Sequence, residues 1–282
     1  MKTNVKKHFS VYKLIVYIVC IFLSILSLLP FAIMIVNSTR STFEIQQRAF
    51  SLMPSTFFSN NLSILLGKSF NPWIGFLNSM IISTGATVCT VYFSTLTAYA
   101  LVAYDWKLKR GFFTFIMCVM MIPAQVTSIG FYQFMYRIGM TNNFAALILP
   151  AIAAPASVFF MRQYMLPTLS MDIVSSARID SAGEFYIFNR IVMPIMKPAI
   201  ATQAIFSFVT SWNNLFMPMI LLTNQDKYTM PIMVSLLRGD IYKTEYGSVY
   251  LGLTLTVLPL LIVYFLLSKH IIAGVALGGV KG

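Results

Sequence analysis

The sequence predicts an all-α integral membrane protein with six transmembrane helices, on the grounds of its composition and its hydropathy pattern. Of its 282 residues, 58% are hydrophobic and only 10% are charged, whereas a soluble globular domain carries about 25% charged residues. So few charges cannot cover the outside of a water-soluble body of this size, and apolar side chains must therefore face lipid. This composition excludes a cytosolic enzyme, a secreted domain and a disordered chain.

Six segments are long enough to cross a bilayer, which takes about 20 predominantly apolar residues. These spans are predicted near 14–36, 74–103, 111–135, 144–164, 199–222 and 248–268. Prolines lie inside or beside several spans, where packed neighbouring helices can satisfy the freed backbone groups. The first run follows a lysine-rich start, but it is too long for a signal peptide and lacks a small-x-small cleavage site. Because there is no internal repeat, residues 1–282 are predicted to form one transmembrane domain.

The basic residues predict the orientation of these spans. A net charge of +12 would suggest nucleic-acid binding in a soluble protein. Here the basic residues lie mostly outside the apolar runs, where membrane topology is the simpler explanation. If the N-terminus is inside, 13 of the 20 lysines and arginines fall in cytoplasmic segments. We therefore expect both termini in the cytoplasm.

The spans lack the residues that a self-sufficient pump or enzyme needs. Cys20, Cys89 and Cys118 lie in apolar runs without metal-ligand or CxxC spacing, so neither a metal site nor a disulfide framework is predicted. The absence of Asp, Glu, Lys and Arg from the central stretches of the spans argues against a lone proton-coupled or sodium-coupled transporter. No paired acids or nucleophile–base pair in the spans suggests an enzyme. No G-x-x-x-x-G-K-[ST] loop is present to bind ATP. If the chain moves a solute uphill, another polypeptide must supply the energy.

Uncharged polar residues inside the spans have two interpretations. Buried amides in lipid need partners, so they either join helices together or line a polar pathway. A pathway of amides and aromatic faces would suit a neutral, hydroxyl-rich solute such as a sugar. The candidate pathway residues are Asn78, Gln125, Trp212 and Asn213.

The long segment 165–197 between spans four and five is predicted to contain two short helices. Ser170 is suited to cap the first, with Asp172 in its first turn. The stretch from Ser181 to Glu184 has the pattern of a capping box, which predicts that the second helix starts there. The two helices should therefore break near Asp180 and Ser181.

The second helix is predicted to end before span five, because Pro194 and Pro198 cannot continue it. A bent helical pair with one apolar face is shaped to dock on another protein. The alternative interpretation is an amphipathic surface linker.

The same loop resembles the EAA loop of binding-protein-dependent ABC-transporter permeases, E-A-A-x-x-x-G, nine residues, then I-x-L-P. Ser175-Ser176-Ala177 falls on E-A-A, Ser181 falls on the glycine, and Ile191-Val192-Met193-Pro194 falls on I-x-L-P. The stretch Ala177-Arg178-Ile179-Asp180 is similar to the A-x-I-D form in carbohydrate permeases of the maltose G-subunit (MalG-like) type. Further segments resemble this family: Leu77-Asn78-Ser79, Thr97-Ala98-Tyr99-Ala100, Met121-Ile122-Pro123, Phe160-Met161-Arg162-Gln163-Tyr164, Ser211-Trp212-Asn213 and the glycine-rich tail 270–282.

The resemblance implies that the loop couples the spans to an ATPase subunit. The residues to which it assigns this role, with their neighbours in the turn, are Ser175, Ser176, Ala177, Asp180, Ser181, Gly183, Glu184, Ile191 and Pro194. Three serines replace the glutamate, the first alanine and the glycine of the motif. Asp172, Asp180 and Glu184 are the candidate substitutes for the lost carboxylate. Gly183 is the candidate for a positive φ in the turn.

The resemblance also implies the ABC importer permease fold and a function. The chain would be a permease subunit of an ATP-driven importer of a sugar or oligosaccharide in the bacterial cytoplasmic (inner) membrane. Its expected partners are a second permease, two ATPase subunits that bind ATP and Mg, and an extracytoplasmic solute-binding protein, and the chain itself holds no cofactor. The tail would reach toward the ATPases. The alternatives are an ABC permease for another neutral solute and a self-contained facilitator or channel.

Overall fold

The computed structural model describes residues 11–67, 71–237 and 244–279, and their regular secondary structure is helical throughout. This confirms the all-α prediction. The longest helices are α1 (Val11–Asn37), α4 (Pro72–Ala103) and α15 (Tyr246–Gly279). Between α1 and α4 lie α2 (Thr42–Gln47) and α3 (Phe58–Gly67).

Shorter helices occupy the middle of the chain. They are α5 (Lys109–Met120), α6 (Ala124–Arg137), α7 (Ala145–Ile148), α8 (Pro155–Thr168), α9 (Met171–Ile179), α10 (Glu184–Ile187), α11 (Met193–Ile195), α12 (Lys197–Trp212), α13 (Phe216–Leu221) and α14 (Met230–Leu236). A 3₁₀ turn (Leu149–Ile152) joins α7 to α8, a π-helical turn (Phe188–Val192) joins α10 to α11, and a second 3₁₀ turn spans Gln225–Lys227.

Three helical stretches are long and apolar enough to cross a membrane: Tyr12–Asn37, Pro72–Ala103 and Ala145–Thr168. They coincide with the first, second and fourth predicted spans. Two bent pairs of helices bring the number within the described residues to as many as five. The sixth predicted span lies within α15, and the count of six stays a prediction.

The third and fifth predicted spans are not single helices. Between α5 and α6 the chain bends by 100°, and Pro123, in the extended conformation, is the N-cap of α6. A proline has no backbone N–H to continue the ladder of the preceding helix. The fifth span breaks after Trp212, where the Asn214 side chain accepts a hydrogen bond of 3.3 Å from the Met217 backbone N–H. Each of the predicted spans 111–135 and 199–222 is therefore divided between two helices.

The chain forms two compact units, of which the first comprises the described residues of 1–70 and 236–255. Arg40 is buried there, and its guanidinium donates to the Asn37 side chain at 3.0 Å and to the backbone oxygens of Glu44 and Arg48 at 3.0 and 2.7 Å. Three acceptors satisfy much of the donor fork of a buried arginine. The Arg40 side chain thus ties together the backbone of the segment after α1.

Asn61 joins α3 to the rest of this first unit. Its side-chain amide donates to the backbone oxygens of Ser38 and Arg40, both at 2.9 Å, while its own backbone oxygen accepts from Ser248 at 3.1 Å. Gly247 lies so close to Arg40 and Asn61 that an added Cβ would overlap both. By contrast, the most apolar stretch of α1 buries none of its residues within the described part of the chain.

The second unit comprises the described residues of 71–235 and 256–282, and α4 is its centre. Helices α8 and α12 both pack along α4. The residues of its main core are apolar with few exceptions and include Val91, Ala98, Tyr99, Met161, Met165, Leu169, Val174, Ile187, Phe188, Val192, Met196 and Ala199. Six of these belong to 165–192, so the predicted coupling loop is part of the core.

Candidate coupling loop

The first helix of the loop, α9, begins as its sequence predicts. The Ser170 hydroxyl accepts a hydrogen bond of 3.3 Å from the Asp172 backbone N–H, and Asp172 lies in the first turn. Both features suit the unpaired N–H groups and the dipole at a helix start. Val174 is fully buried in the core, while Ser175 and Ser176 on the next positions are exposed.

The helix ends at the predicted break with a Schellman motif. The Ser181 N–H donates to the Arg178 oxygen and the Ala182 N–H donates to the Ala177 oxygen, each at 3.0 Å. This motif needs a left-handed residue just after the C-cap, and glycine is the usual choice. Here Ser181 occupies that position with φ of +59°. The serine that replaces the glycine of the EAA pattern therefore adopts the conformation that favours glycine.

Two expectations for this turn were wrong. The N-cap of α10 is Gly183 rather than Ser181, so the predicted capping box between Ser181 and Glu184 does not form. An N-cap residue needs an extended backbone, whereas the Schellman motif holds Ser181 in the left-handed region. Gly183 has a φ of −67° and takes no positive value.

Glu184 joins the loop to the end of α4. Its Oε1 accepts from the Arg178 Nε at 2.6 Å, and its Oε2 accepts from the hydroxyls of Tyr99, at 3.1 Å, and Tyr104. The hydrogen bond from Arg178 is the largest cause that holds the pKa of Glu184 below its ordinary value. The carboxylate in turn raises the pKa of the Arg178 guanidinium. The Arg178 guanidinium also lies over the Tyr104 ring, 5.1 Å from its centroid.

This cluster was not predicted from the sequence, from which Glu184 was expected to contact the ATPase. Both of its carboxylate oxygens have partners within this chain. The stretch that contains Tyr99 resembles the permease family, but no pattern of neighbouring residues predicts that Tyr99 or Tyr104 contacts Glu184. The structure thus indicates that Glu184 positions the loop.

The second helix runs further than its prolines predicted. It continues through the π-helical turn, where the Met193 N–H donates to the Phe188 oxygen, and through Pro194 to Ile195. Pro198 lies in the first turn of α12, where the missing N–H costs little. The chain then bends by 81° before α12. Pro194 therefore does not end the helix, although the helix does end before the fifth span.

The loop has a buried face and an exposed apolar face. Val174, Ile187 and Phe188 are buried against the core, whereas Ile179 and Phe185 are 82% and 73% exposed. The remaining predicted residues of the loop are exposed at Asp180, Ser181, Gly183, Glu184 and Pro194 and half-buried at Ala177 and Ile191. A rigid element with outward-facing apolar side chains can bind a complementary protein surface.

The four candidate pathway residues fall into two pairs. The Asn78 side chain donates to the backbone oxygens of Asp226 and Tyr228 at 2.9 and 3.0 Å. Trp212 is buried, and its Nε1 donates to the Thr256 backbone oxygen at 3.1 Å. These contacts join helices and loops within the second unit. The other pair, Gln125 and Asn213, is exposed. Their assignment to a substrate pathway stays a prediction.

The chain is similar to known membrane transport proteins. Residues 91–276 match the family described as binding-protein-dependent transport system inner membrane component. The chain is 34% identical to the arabinooligosaccharides transport system permease protein AraQ of Halalkalibacterium halodurans, over 93% of this chain and 94% of that protein. It is 33% identical to the protein of the same name in Bacillus subtilis, over 97% and 98% of the two chains.

One solved structure has the same fold. It is the crystal structure of a bacterial ABC transporter involved in the import of the acidic polysaccharide alginate, with a TM-score of 0.79 and 22% sequence identity. The match covers 94% of this chain and 100% of the solved chain. This likeness confirms the fold class that the sequence resemblance implied.

Proposed function

The chain belongs to the family of binding-protein-dependent transport system inner membrane components, and from this premise we propose that it is the permease subunit of an ATP-driven importer of a sugar or oligosaccharide. The sugar substrate is supported by the relatives that share a third of its residues, which are permeases named for arabinooligosaccharides. The amide and aromatic side chains within its helices are compatible with a neutral, hydroxyl-rich solute.

The observation that carries the proposal is the two-faced coupling loop of 165–197. Its outer face presents Ile179 and Phe185, and its inner face buries Val174 and Ile187 in the core of the second unit. A partner that pushes on the outer face therefore moves side chains packed around α4. Because Glu184 links α10 to the end of α4 through Tyr99 and Tyr104, displacement of the loop would move a membrane-spanning helix directly.

The partner on this face is an ATPase subunit in our proposal. Closure of two ATPase subunits, which bind ATP and Mg, displaces the loop and tilts the spans, so that the path opens alternately to the two sides. A second permease completes the path, and an extracytoplasmic binding protein delivers the sugar. Both termini lie in the cytoplasm, as the distribution of lysines and arginines supports.

The proposal is tested by copurification and by one matched pair of substitutions. We expect the chain, extracted from its native membrane in mild detergent, to copurify with an ATPase, a second permease and a binding protein. Ile179→Asp adds a charge to the exposed apolar face and should release the ATPase while the second permease stays bound. Phe50→Asp adds the same charge at another exposed apolar residue, 85% exposed and outside the loop, and should leave the ATPase bound.

Two results would contradict the proposal. Recovery of the chain alone in repeated mild extractions, with solute uptake by vesicles that contain only this chain, would favour the facilitator alternative. Equal retention of the ATPase by the wild-type chain and the Ile179→Asp variant would remove the coupling role of the exposed face. If the complex is intact, ligand screening on the copurified binding protein identifies the solute and separates a sugar from another neutral molecule.

A further inference from the structure

A basic cavity lies where the chain passes from α4 to α5 and meets α8. It has a volume of about 850 Å³, which is within the range of about 300–1,000 Å³ for ligand pockets. Four of its lining side chains are basic, Lys107, Lys109, Arg110 and Arg162, and a single one, Asp105, is acidic. The cavity therefore favours an anion.

Arg162 on α8 is held in this cavity with spare hydrogen-bonding capacity. Its guanidinium carbon lies over the Phe113 ring, 4.3 Å from the centroid, which is a favourable cation–π contact. Its Nε is buried and has no hydrogen-bond partner among the described residues. A buried charged donor without an acceptor is costly, and an anion in the cavity would lower this cost by placing negative charge beside the guanidinium.

The start of α5 adds a second reason for an anion. Leu108 is the N-cap and has no side-chain oxygen to accept from the first N–H groups. Lys109 and Arg110 follow in the first turn, although the helix dipole favours negative charge there. An anion beside this turn would pair with both the free N–H groups and the two basic residues.

The surroundings indicate which anion fits. The cavity lies at the predicted cytoplasmic end of the second and third spans. Beside it the rings of Trp106 and Phe112 are in contact, with centroids 5.8 Å apart, and Phe115 is exposed further along α5. Tryptophan at the end of a span is typical of the lipid headgroup level. The site therefore combines a charged interior with an apolar outer edge, as a phospholipid does.

We propose that this cavity binds the phosphate headgroup of an anionic phospholipid from the inner leaflet, with Arg162, Lys107 and Arg110 as its ligands. Basic pockets between spans on the cytoplasmic side are suited to such headgroups. The site also borders the coupling loop, because the Lys109 ammonium donates to the Tyr104 oxygen at 2.8 Å and the Tyr104 hydroxyl donates to Glu184. A bound headgroup thus stabilises the residue that joins α4 to the loop.

The test measures lipid binding to the purified, delipidated full chain by native mass spectrometry. Phosphatidylglycerol, phosphatidylcholine and inorganic phosphate are titrated separately. Lys107→Gln removes one exposed charge from the cavity rim and should weaken phosphatidylglycerol binding by about fivefold. Arg162→Gln should weaken it further, and Arg162→Lys should fall between the wild type and Arg162→Gln, because it keeps the charge but loses the fork. Arg190→Gln removes an exposed charge outside the cavity and should have no effect.

The proposal stands if phosphatidylglycerol binds more tightly than phosphatidylcholine and if this preference falls in the cavity variants but not in Arg190→Gln. Equal binding of the two lipids, or equal loss in all variants, would overturn it. Displacement of phosphatidylglycerol by inorganic phosphate would show a site for free phosphate instead and would overturn the lipid source. Lys107 is exposed, so its variant decides the question even if the Arg162 variants fold poorly. None of these results depends on the transported solute.

Discussion

Substitution of Ser181 by glycine should stabilise the coupling loop. Ser181 holds φ of +59° at the end of α9, in the position of the Schellman motif where glycine is usual. The same motif ends α6, where the Gly139 N–H donates to the Tyr136 oxygen and the Met140 N–H donates to the Met135 oxygen. There the left-handed residue is Gly139, with φ of +69°. The chain thus contains a strained and an unstrained version of one turn.

The size of the effect follows from two opposing contributions. A residue with a Cβ pays about 1–2 kcal/mol for the left-handed conformation. Glycine loses more backbone entropy on folding, which costs about 0.5–1 kcal/mol. Ser181→Gly should therefore stabilise the turn by about 0.5–1 kcal/mol, which corresponds to a factor of about two to five in the equilibrium for local opening.

Hydrogen exchange at the turn measures this factor. The amides of Ser181 and Ala182 close the Schellman motif, so their protection should rise about two- to fivefold in Ser181→Gly. Ser181→Ala keeps the Cβ and should show no such gain. Gly139→Ser is the reverse exchange, in a turn where an added Cβ meets open space, and should reduce protection at the end of α6 by a similar factor.

If Ser181→Ala increases protection as much as Ser181→Gly, the gain comes from loss of the hydroxyl and not from backbone strain. Unchanged protection in both variants would mean that the left-handed conformation costs nothing here.

Three further outcomes are expected. Glu184→Gln should weaken the link with Arg178 by about 0.5–1 kcal/mol, since the pair is partly exposed. Protection of the α9 amides from hydrogen exchange should therefore fall, and the rate of transport should fall more than the rate of ATP hydrolysis. Equal losses in the two rates would contradict a coupling role. The pKa of Glu184 lies below its ordinary value of 4.5, so the Glu184 carboxylate should stabilise the folded loop fully above about pH 4.5. This stabilisation should be lost as the pH falls through the lowered pKa, and the Glu184→Gln variant should lack this pH dependence. Gly247→Ala should destabilise the first unit by about 1–3 kcal/mol, measured by thermal melting, because the added Cβ would overlap Asn61. The control is Gly130→Ala, whose added Cβ meets open space, and it should not lower the melting temperature.

Local signals in the sequence predicted the features that depend on neighbours along the chain. The start of α9 at Ser170 and the break at Ser181 were both predicted, because a cap and a turn are decided within a few residues. The capping box failed for a local reason too. Ser181 cannot both end one helix in the left-handed conformation and start the next in the extended one, and the pattern does not say which role prevails.

Contacts between distant residues could not be predicted in this way. The hydrogen bond from Tyr99 to Glu184 joins residues 85 positions apart, and neither residue type requires the other. Likewise, hydropathy identified the third span but not its break at Pro123, because a proline within an apolar run is compatible with both a tolerated kink and a complete interruption. Packing between the helices of the second unit, rather than amino-acid composition, decides whether a helix continues or breaks at such a proline.

The bare surface of α1 has a consequence for how the protein is made and how it evolves. Its most apolar stretch has a mean hydropathy of 2.8 and buries none of its residues in the described chain, while 44% of the corresponding stretch of α4 is buried. Insertion of α1 by the translocation machinery therefore needs no packing against the rest of the described chain. As far as packing within this chain is concerned, substitutions in the apolar stretch of α1 should be accepted according to hydrophobicity, whereas those in α4 should be accepted according to size and shape.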